Sequence, residues 1–221
     1  MIGPRTDGDA RRHFGVYPAI VTDIVDPDDL GRIQVKLPWL GTDGDRDVRA
    51  WATLLTPYAD DDQGFFVLPA VDTQVVVAFE AGDLRRPYIV GSAWNGKEAM
   101  PESPAQANDK RLVKTRAGSL LEFDDTEGAP KVTVSTQSGH TLVLDDGQQE
   151  VTLRHANGCV ITLNAGGQVE VRANATVEIT ASAVNVHAAS AIFDGLVQCT
   201  TLIATSAVVS PSYTPGAGNV W

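Results

Sequence analysis

The second half of the chain repeats itself with a period of about 20 residues, and that repeat constrains the fold more than any other feature. Gly118-Ser119-Leu120-Leu121-Glu122-Phe123-Asp124-Asp125 aligns with Gly139-His140-Thr141-Leu142-Val143-Leu144-Asp145-Asp146, and Gly158-Cys159-Val160-Ile161-Thr162-Leu163-Asn164 follows. Each unit runs from a glycine through an alternating segment to Asp or Asn at a turn. A second alternating segment comes after each: Lys131–Ser135, Glu150–Leu153 and Gln168–Val171. Val177–Thr180 and Val184–His187 read the same way. Alternation with period two makes the units strands, because successive side chains of a strand point to opposite faces. One unit cannot bury its apolar face alone, so neighbouring units or other chains must cover it. The inward residues read as small, mostly Val, Ala and Thr, and no aromatic residue occurs between Asp124 and Ile192. That composition fits either a single-chain solenoid or three chains wound around one axis, which would also remove free sheet edges.

The first half has a different grammar. Val16–Val25, Arg32–Leu37, Arg49–Thr56, Thr73–Glu80 and Pro87–Ala93 are candidate strands. In Arg32–Leu37, Ile33, Val35 and Leu37 share one face and Arg32, Gln34 and Lys36 the other, the pattern of a half-buried strand. Asp26-Pro27-Asp28-Asp29-Leu30-Gly31 carries turn chemistry, and Pro57–Gly64 reads as a loop. Five short strands and no helical stripe predict a small closed barrel of the OB type. Residues 97–110, with two prolines and scattered charges, read as a linker. The expected organisation is an N-terminal segment over 1–13, an OB collar over 14–96, the linker over 97–110, a β-helical shaft over 111–209 and a distal end over 210–221.

Charge narrows the function. The chain of 221 residues has 28 acidic and 17 basic side chains, a net of −11. Nucleic-acid affinity comes chiefly from Lys and Arg on phosphates, so no nucleic-acid partner is expected. A polybasic membrane-surface protein is disfavoured for the same reason. Two cysteines cannot build a disulfide framework. No apolar run reaches the ~20 residues that span a bilayer. Met1 to Arg12 is polar and lacks the apolar core of a signal peptide, so synthesis in the cytoplasm is expected. From Ala173 to Trp221 only Glu178 and Asp194 are charged, as expected of a segment that is buried or packs against copies of itself.

The run from Gly64 to Gly91, GFFVLPAVDTQVVVAFEAGDLRRPYIVG, resembles the OB-fold core of contractile-tail spike proteins. These include baseplate assembly protein V of contractile phages and the type VI secretion spike VgrG. Its motif residues are Pro69, Gly82, Asp83, Arg86, Pro87 and Gly91, and Gly31-Arg32 resembles the start of an earlier family strand. The Gly118 and Gly139 units resemble the spike repeats. The resemblance implies an all-β homotrimer: an N-terminal OB-fold barrel followed by an intertwined triple-stranded β-helix. It implies a baseplate needle driven through a target cell envelope and later found outside the cell. The distal end, with Pro211, Tyr213, Pro215, Gly216 and Trp221, would carry the tip interface, capped by a PAAR-type tip protein or a cargo. The OB region begins near Phe14, so a separate baseplate hub protein is the implied docking partner. The linker is too short for the lysozyme domain that some phage relatives insert there.

Candidate chemical sites are few. Asp60-Asp61-Asp62 reads as a solvated run. Asp26, Asp28 and Asp29 lack the calcium-loop pattern. Asp124-Asp125 and Asp145-Asp146 recur at matching repeat positions, with Asn164 in the third unit, and so read as turn residues rather than a catalytic pair. His187 is a weak metal candidate if three copies ring an axis. Cys159 and Cys199 read as free thiols. His13, His140, His155 and His187 lie in unrelated contexts, so no nucleophilic triad is assembled. No cofactor and no enzymatic activity is expected. Two rival readings are an OB-type binding module and a β-helical carbohydrate-active or adhesin protein. The first is opposed by the charge and the second by the missing aromatic groove.

Overall fold

The computed structural model describes residues 12–43 and 46–210. Its first part contains β1 (Val16–Asp23), β2 (Arg32–Lys36), the two-residue strands β3 (Thr42–Asp43) and β4 (Arg46–Asp47), and β5 (Arg49–Leu54). Then come the two-residue strands β6 (Ala59–Asp60) and β7 (Gln63–Gly64), followed by β8 (Gln74–Phe79) and β9 (Pro87–Ser92). β1, β2, β5, β9 and β8 close a barrel in that order. All neighbours are antiparallel except β5 and β9, which pair in parallel through Thr53–Tyr88 and Leu54–Ile89. Every second residue of each strand enters the barrel: Ala19 and Val21, Ile33 and Val35, and Val75, Val77 and Phe79, joined by Ala52 and Ile89. Leu37, just past β2, completes this core. Burying a Val, Ile, Leu or Phe side chain is worth roughly 1.5–3 kcal/mol, so these residues define the barrel energetically as well as geometrically. The expected Pro57–Gly64 loop holds the β6–β7 hairpin, whose tip is Asp61-Asp62.

The second part is a seven-stranded antiparallel meander. Its strands are β10 (Lys110–Lys114), β11 (Leu120–Asp124), β12 (Lys131–Ser135), β13 (Thr141–Asp145), β14 (Glu150–Arg154), β15 (Val160–Leu163) and β16 (Val169–Arg172). The sheet takes in Lys110, the last residue of the expected linker, and β10 was not anticipated at all.

Among the described residues no strand follows β16, and every residue from Asn174 to Ser210 is exposed. The strands expected at Val177–Thr180 and Val184–His187 therefore do not form within one chain. Their alternation is suited to a ladder, but the single chain supplies no partner strand. The tip positions Pro211, Tyr213, Pro215, Gly216 and Trp221 lie outside the described residues.

Candidate interaction surface

The register of the meander sorts its side chains onto two unlike faces. Direct cross-strand partners share a face. One line of partners runs Val113, Leu121, Val134, Leu142, Leu153, Ile161, Val171. A second runs Arg111, Phe123, Val132, Leu144, Val151, Leu163, Val169 on the same face, because each residue is two positions from the first line. Thirteen of these fourteen positions are apolar, and among the described residues no element packs over them, so most stay exposed. Leu153 keeps 50% of its surface exposed, Phe123 44% and Leu163, at the end of β15, 45%, although all three lie in strands paired on both sides. The expectation of small inward residues is corrected here: the face carries Leu, Ile and Phe at its centre. Arg111 is the exception, and its Nη1 donates to Asp125 Oδ2 and to the Asn108 carbonyl at 3.0 Å each. The other face is mixed but more polar: one line of partners runs Leu112, Glu122, Thr133, Val143, Thr152, Thr162, Glu170, with salt bridges Lys110–Glu122 at 3.8 Å and Lys131–Asp124 at 3.9 Å.

Two kinds of turn frame the sheet. Gly118, Gly139 and Gly158 lie along one edge with φ of +84°, +93° and +97°, the left-handed conformation that ends a type I hairpin turn with a bulge. In each turn the glycine N–H donates to the carbonyl three residues back: Thr115, Thr136 and His155. The opposite edge holds Asp124, Asp145 and Asn164. Asp124 accepts from the Thr126 N–H and hydroxyl, Asp145 from the Gln148 N–H, and Asn164 from the Gly166 and Gln168 N–H groups. The hydrogen bonds from Thr126 hold the Asp124 carboxyl below its usual range, helped by Lys131. Asp125 pairs with Arg111, and the Asp146 N–H donates to the Pro130 carbonyl.

In the barrel the sequence reading missed one residue. Asp26 is a turn residue, as its context suggests, but its side chain is only 3% exposed. It accepts from the N–H groups of Asp28, Leu30 and Arg32 and from two guanidinium nitrogens of Arg32 at 2.8 Å each. The Arg32 bonds hold its carboxyl far below the ordinary range and raise the guanidinium in turn. Arg32 also bonds Asp28 at 2.6 Å and lies over the Trp51 ring. Gly31 precedes it at φ +69°. The only advance signal for Asp26 was its place six residues before an arginine that opens a strand.

The β8–β9 turn brings Gly82, Asp83, Arg86 and Pro87 together. Asp83 pairs with Arg85 at 2.8 Å, and its carboxyl is lowered to about 2 by those bonds. Arg86 reaches Glu80 at 3.2 Å. Gly82 is buried at φ +78°, and its carbonyl accepts from the His13 N–H. Pro87 is buried at the start of β9, and Gly91 sits opposite Val76 beside a β-bulge. Pro69 lines a cavity at the other end of the barrel. His187 is exposed, and among the described residues no group of three His, Cys, Asp or Glu side chains is placed to hold a metal. Cys159 and Cys199 are free thiols.

The barrel has two distinct ends. The C-terminal ends of β1, β5 and β9 share one end, since β1 and β9 both run antiparallel to β8. Trp94 follows β9 there and lines a cavity of about 380 Å³ with Met100, Lys110, Leu112 and Thr126, so this end faces the sheet. The far end carries the Glu80–Arg86 turn and the ring cluster of His13, Tyr17, Trp39 and Phe79, in which Tyr17 and Trp39 stack at 4.4 Å.

A closed OB-type barrel joined to an antiparallel sheet with one exposed apolar face defines a two-part all-β protein with a surface suited to self-association. Comparison with known families agrees. Residues 17–94 match the type VI secretion system/phage-baseplate injector OB domain, and residues 131–190 match the phage baseplate V C-terminal trimerisation domain. Together the two matches take in more than half of the chain, which belongs to the VgrG and baseplate-V spike family. Among its relatives is the type VI secretion system spike protein VgrG3 of Vibrio cholerae, 23% identical over 134 residues, or 58% of this chain and 13% of that protein. Another is the actin cross-linking toxin VgrG1 of Vibrio cholerae, 22% identical over 127 residues, 55% of this chain and 12% of that protein. The spike protein VgrG1b of Pseudomonas aeruginosa is 23% identical over 128 residues, 54% of this chain and 17% of that protein. The aligned region is thus a small part of each of these longer relatives. Among the described residues no helix is long and apolar enough to cross a membrane.

Proposed function

We propose that this chain is the central spike of a contractile phage tail or phage-derived injection apparatus, acting as a homotrimer. The uncovered apolar face of β10–β16 carries this reading. Three such faces turned toward one axis would bury one another, with the more polar faces left to solvent. The segment beyond β16 would then find its strand partners in the two other copies. The far end of the barrel, with the Glu80–Arg86 turn, would dock on a separate hub protein. The C-terminal end would form the tip, open to a PAAR-type protein or a cargo, and the assembly would pierce the target envelope mechanically. The chain itself would act by binding, with no chemical turnover. Light scattering on the purified chain tests the reading directly: the mass expected is three times 23.5 kDa. A monomeric mass at micromolar concentration would reject it.

A further inference from the structure

The large apolar side chains left exposed on the barrel are not spread evenly. Val25 (73%), Leu30 (68%), Phe66 (84%) and Trp94 (65%) all lie in loops at the end that faces the sheet. Among the described residues only Phe14 and Val16 are comparably exposed at the far end. Single exposed apolar residues are ordinary, but a grouped set on one end of a small barrel marks an interaction surface. Phe66 stands out because its neighbours are held firmly. The Phe65 N–H donates to the Tyr58 carbonyl, and the Thr56 hydroxyl donates to the Phe65 carbonyl at 2.8 Å. Gly64 shapes this loop at φ +152°, where an added Cβ would stand 2.8 Å from the Tyr58 oxygen. The loop therefore presents its aromatic ring on a defined backbone, which lowers the entropy cost of docking.

At the same end lies a cavity of about 310 Å³ between the start of β8 and the end of β9, lined by Pro69, Ala70, Ser92, Ala93 and Trp94 among others. Phe66 does not line it, so the chain does not fill its own cavity with its own ring. Ring and cavity both belong to the barrel end where β5 and β9 finish and β8 begins. A surface feature and a different complementary feature on the same subunit make a heterologous contact, which closes into a ring under cyclic symmetry. Residues 93–109 connect the barrel to a sheet that assembles with its copies, so the barrels of one particle are tethered at high effective concentration. A contact too weak to hold free barrels together would then be occupied.

We infer that Phe66 of one copy seats in the cavity beside Trp94 of the next copy, so that three collars form a closed ring above the shaft. This rests on the trimeric reading and names a surface that the trimerisation match at 131–190 does not include. The test uses the full chain with Cys159→Ser and Cys199→Ser, to which Val67→Cys, beside an intact Phe66, and Ser92→Cys are added together or singly. After light scattering establishes the mass, a short flexible bismaleimide is applied and the products are separated under denaturing conditions. The result expected is a covalent three-chain species that needs both introduced thiols, since each single variant links two chains at most. Acrylamide quenching gives an independent readout: the emission that Trp94→Phe removes should be largely protected. A trimeric mass with only intrachain links and a freely quenched Trp94 overturns the collar ring and leaves the trimer standing. Loss of phosphatidylcholine-vesicle binding in Phe66→Ser, without interchain links, assigns the ring to a lipid surface and also overturns it. A monomeric mass removes both readings.

Discussion

Replacing Leu153 by Asp tests whether the apolar face of the sheet is the trimer core. Leu153 sits at the centre of that face between Leu142 and Ile161. Half of its surface is still exposed in the single chain. Full burial of a leucine is worth roughly 1.5–3 kcal/mol, so association should bring about 1 kcal/mol more per copy from this side chain. Leu153→Asp removes that gain and sets a carboxylate in its place. Moving an ion out of water costs several kcal/mol even after the protein relaxes. Symmetry repeats the penalty three times, for a total on the order of 10 kcal/mol or more per trimer. A penalty that large lowers the association constant by roughly seven powers of ten, at 1.4 kcal/mol for each tenfold change. Light scattering at micromolar concentration should find chains of 23.5 kDa rather than trimers. Ser135→Asp is the control, because Ser135 pairs with Leu120 and Thr141 on the opposite face. A surface change of that kind typically shifts stability by no more than about 0.5 kcal/mol, so the trimer should persist. Trimer yield unchanged in Leu153→Asp, or lost equally in both variants, would refute the assignment of the two faces.

Three further outcomes follow from the geometry. Ile33→Ala, at 1% exposure in the barrel core, should destabilise the barrel by about 2–5 kcal/mol in denaturant titration while leaving the oligomeric mass unchanged. Gly147→Ala should lower the thermal stability of the sheet, because the new Cβ would stand 2.8 Å from the Ala129 Cα and 3.0 Å from the Gly128 oxygen; an unchanged melting curve would show that the turn yields freely. The third outcome concerns acid. Asp26 and Asp83 have carboxyls lowered in the folded state, Asp83 to about 2. Such groups stabilise the barrel fully above the unfolded value of about 3.9, and the contribution is lost as pH falls through the folded values. Barrel stability should therefore drop between about pH 4 and pH 2 and below, and Asp26→Asn should flatten the part due to Asp26 in melts taken across that range.

The barrel was legible in the sequence because its five strands alternate cleanly and each is bounded by Gly, Pro or Asp. Ile33, Val35, Val75 and Val77 follow directly from that alternation. The first six repeat strands were legible for the same reason. β10 was hidden, since Lys110, Arg111 and Lys114 give it the look of a charged linker, and only pairing with β11 reveals it. The size of the inward residues was misjudged because a repeat alone does not say which of its two alternating sets is covered. Leu121 and Phe123 share a face by alternation alone, but that this face continues through Val134, Leu142 and Leu153 follows only from the register. Asp26 was half legible: its turn could be read, but the folding of that turn onto Arg32 is a tertiary event. The strands expected beyond β16 failed for a different reason, since the partners of a ladder need not belong to the same chain.

That last feature sets an order of events. The barrel and the meander close their hydrogen bonds within one chain, so each can form at a rate independent of concentration. Among the described residues Val177–Thr180 and Val184–His187 have no ladder partner within one chain, and in the proposed trimer their ordering must wait for the encounter of three chains. The sheet then acts as the starting block of a zipper: it brings three tails into register before any of them pairs, and pairing proceeds away from the collar. Assembly rate should depend steeply on chain concentration at first and become independent of it once the three sheets have met. A chain cut after Arg172 would still start the zipper, whereas a tail alone would have nothing to align it.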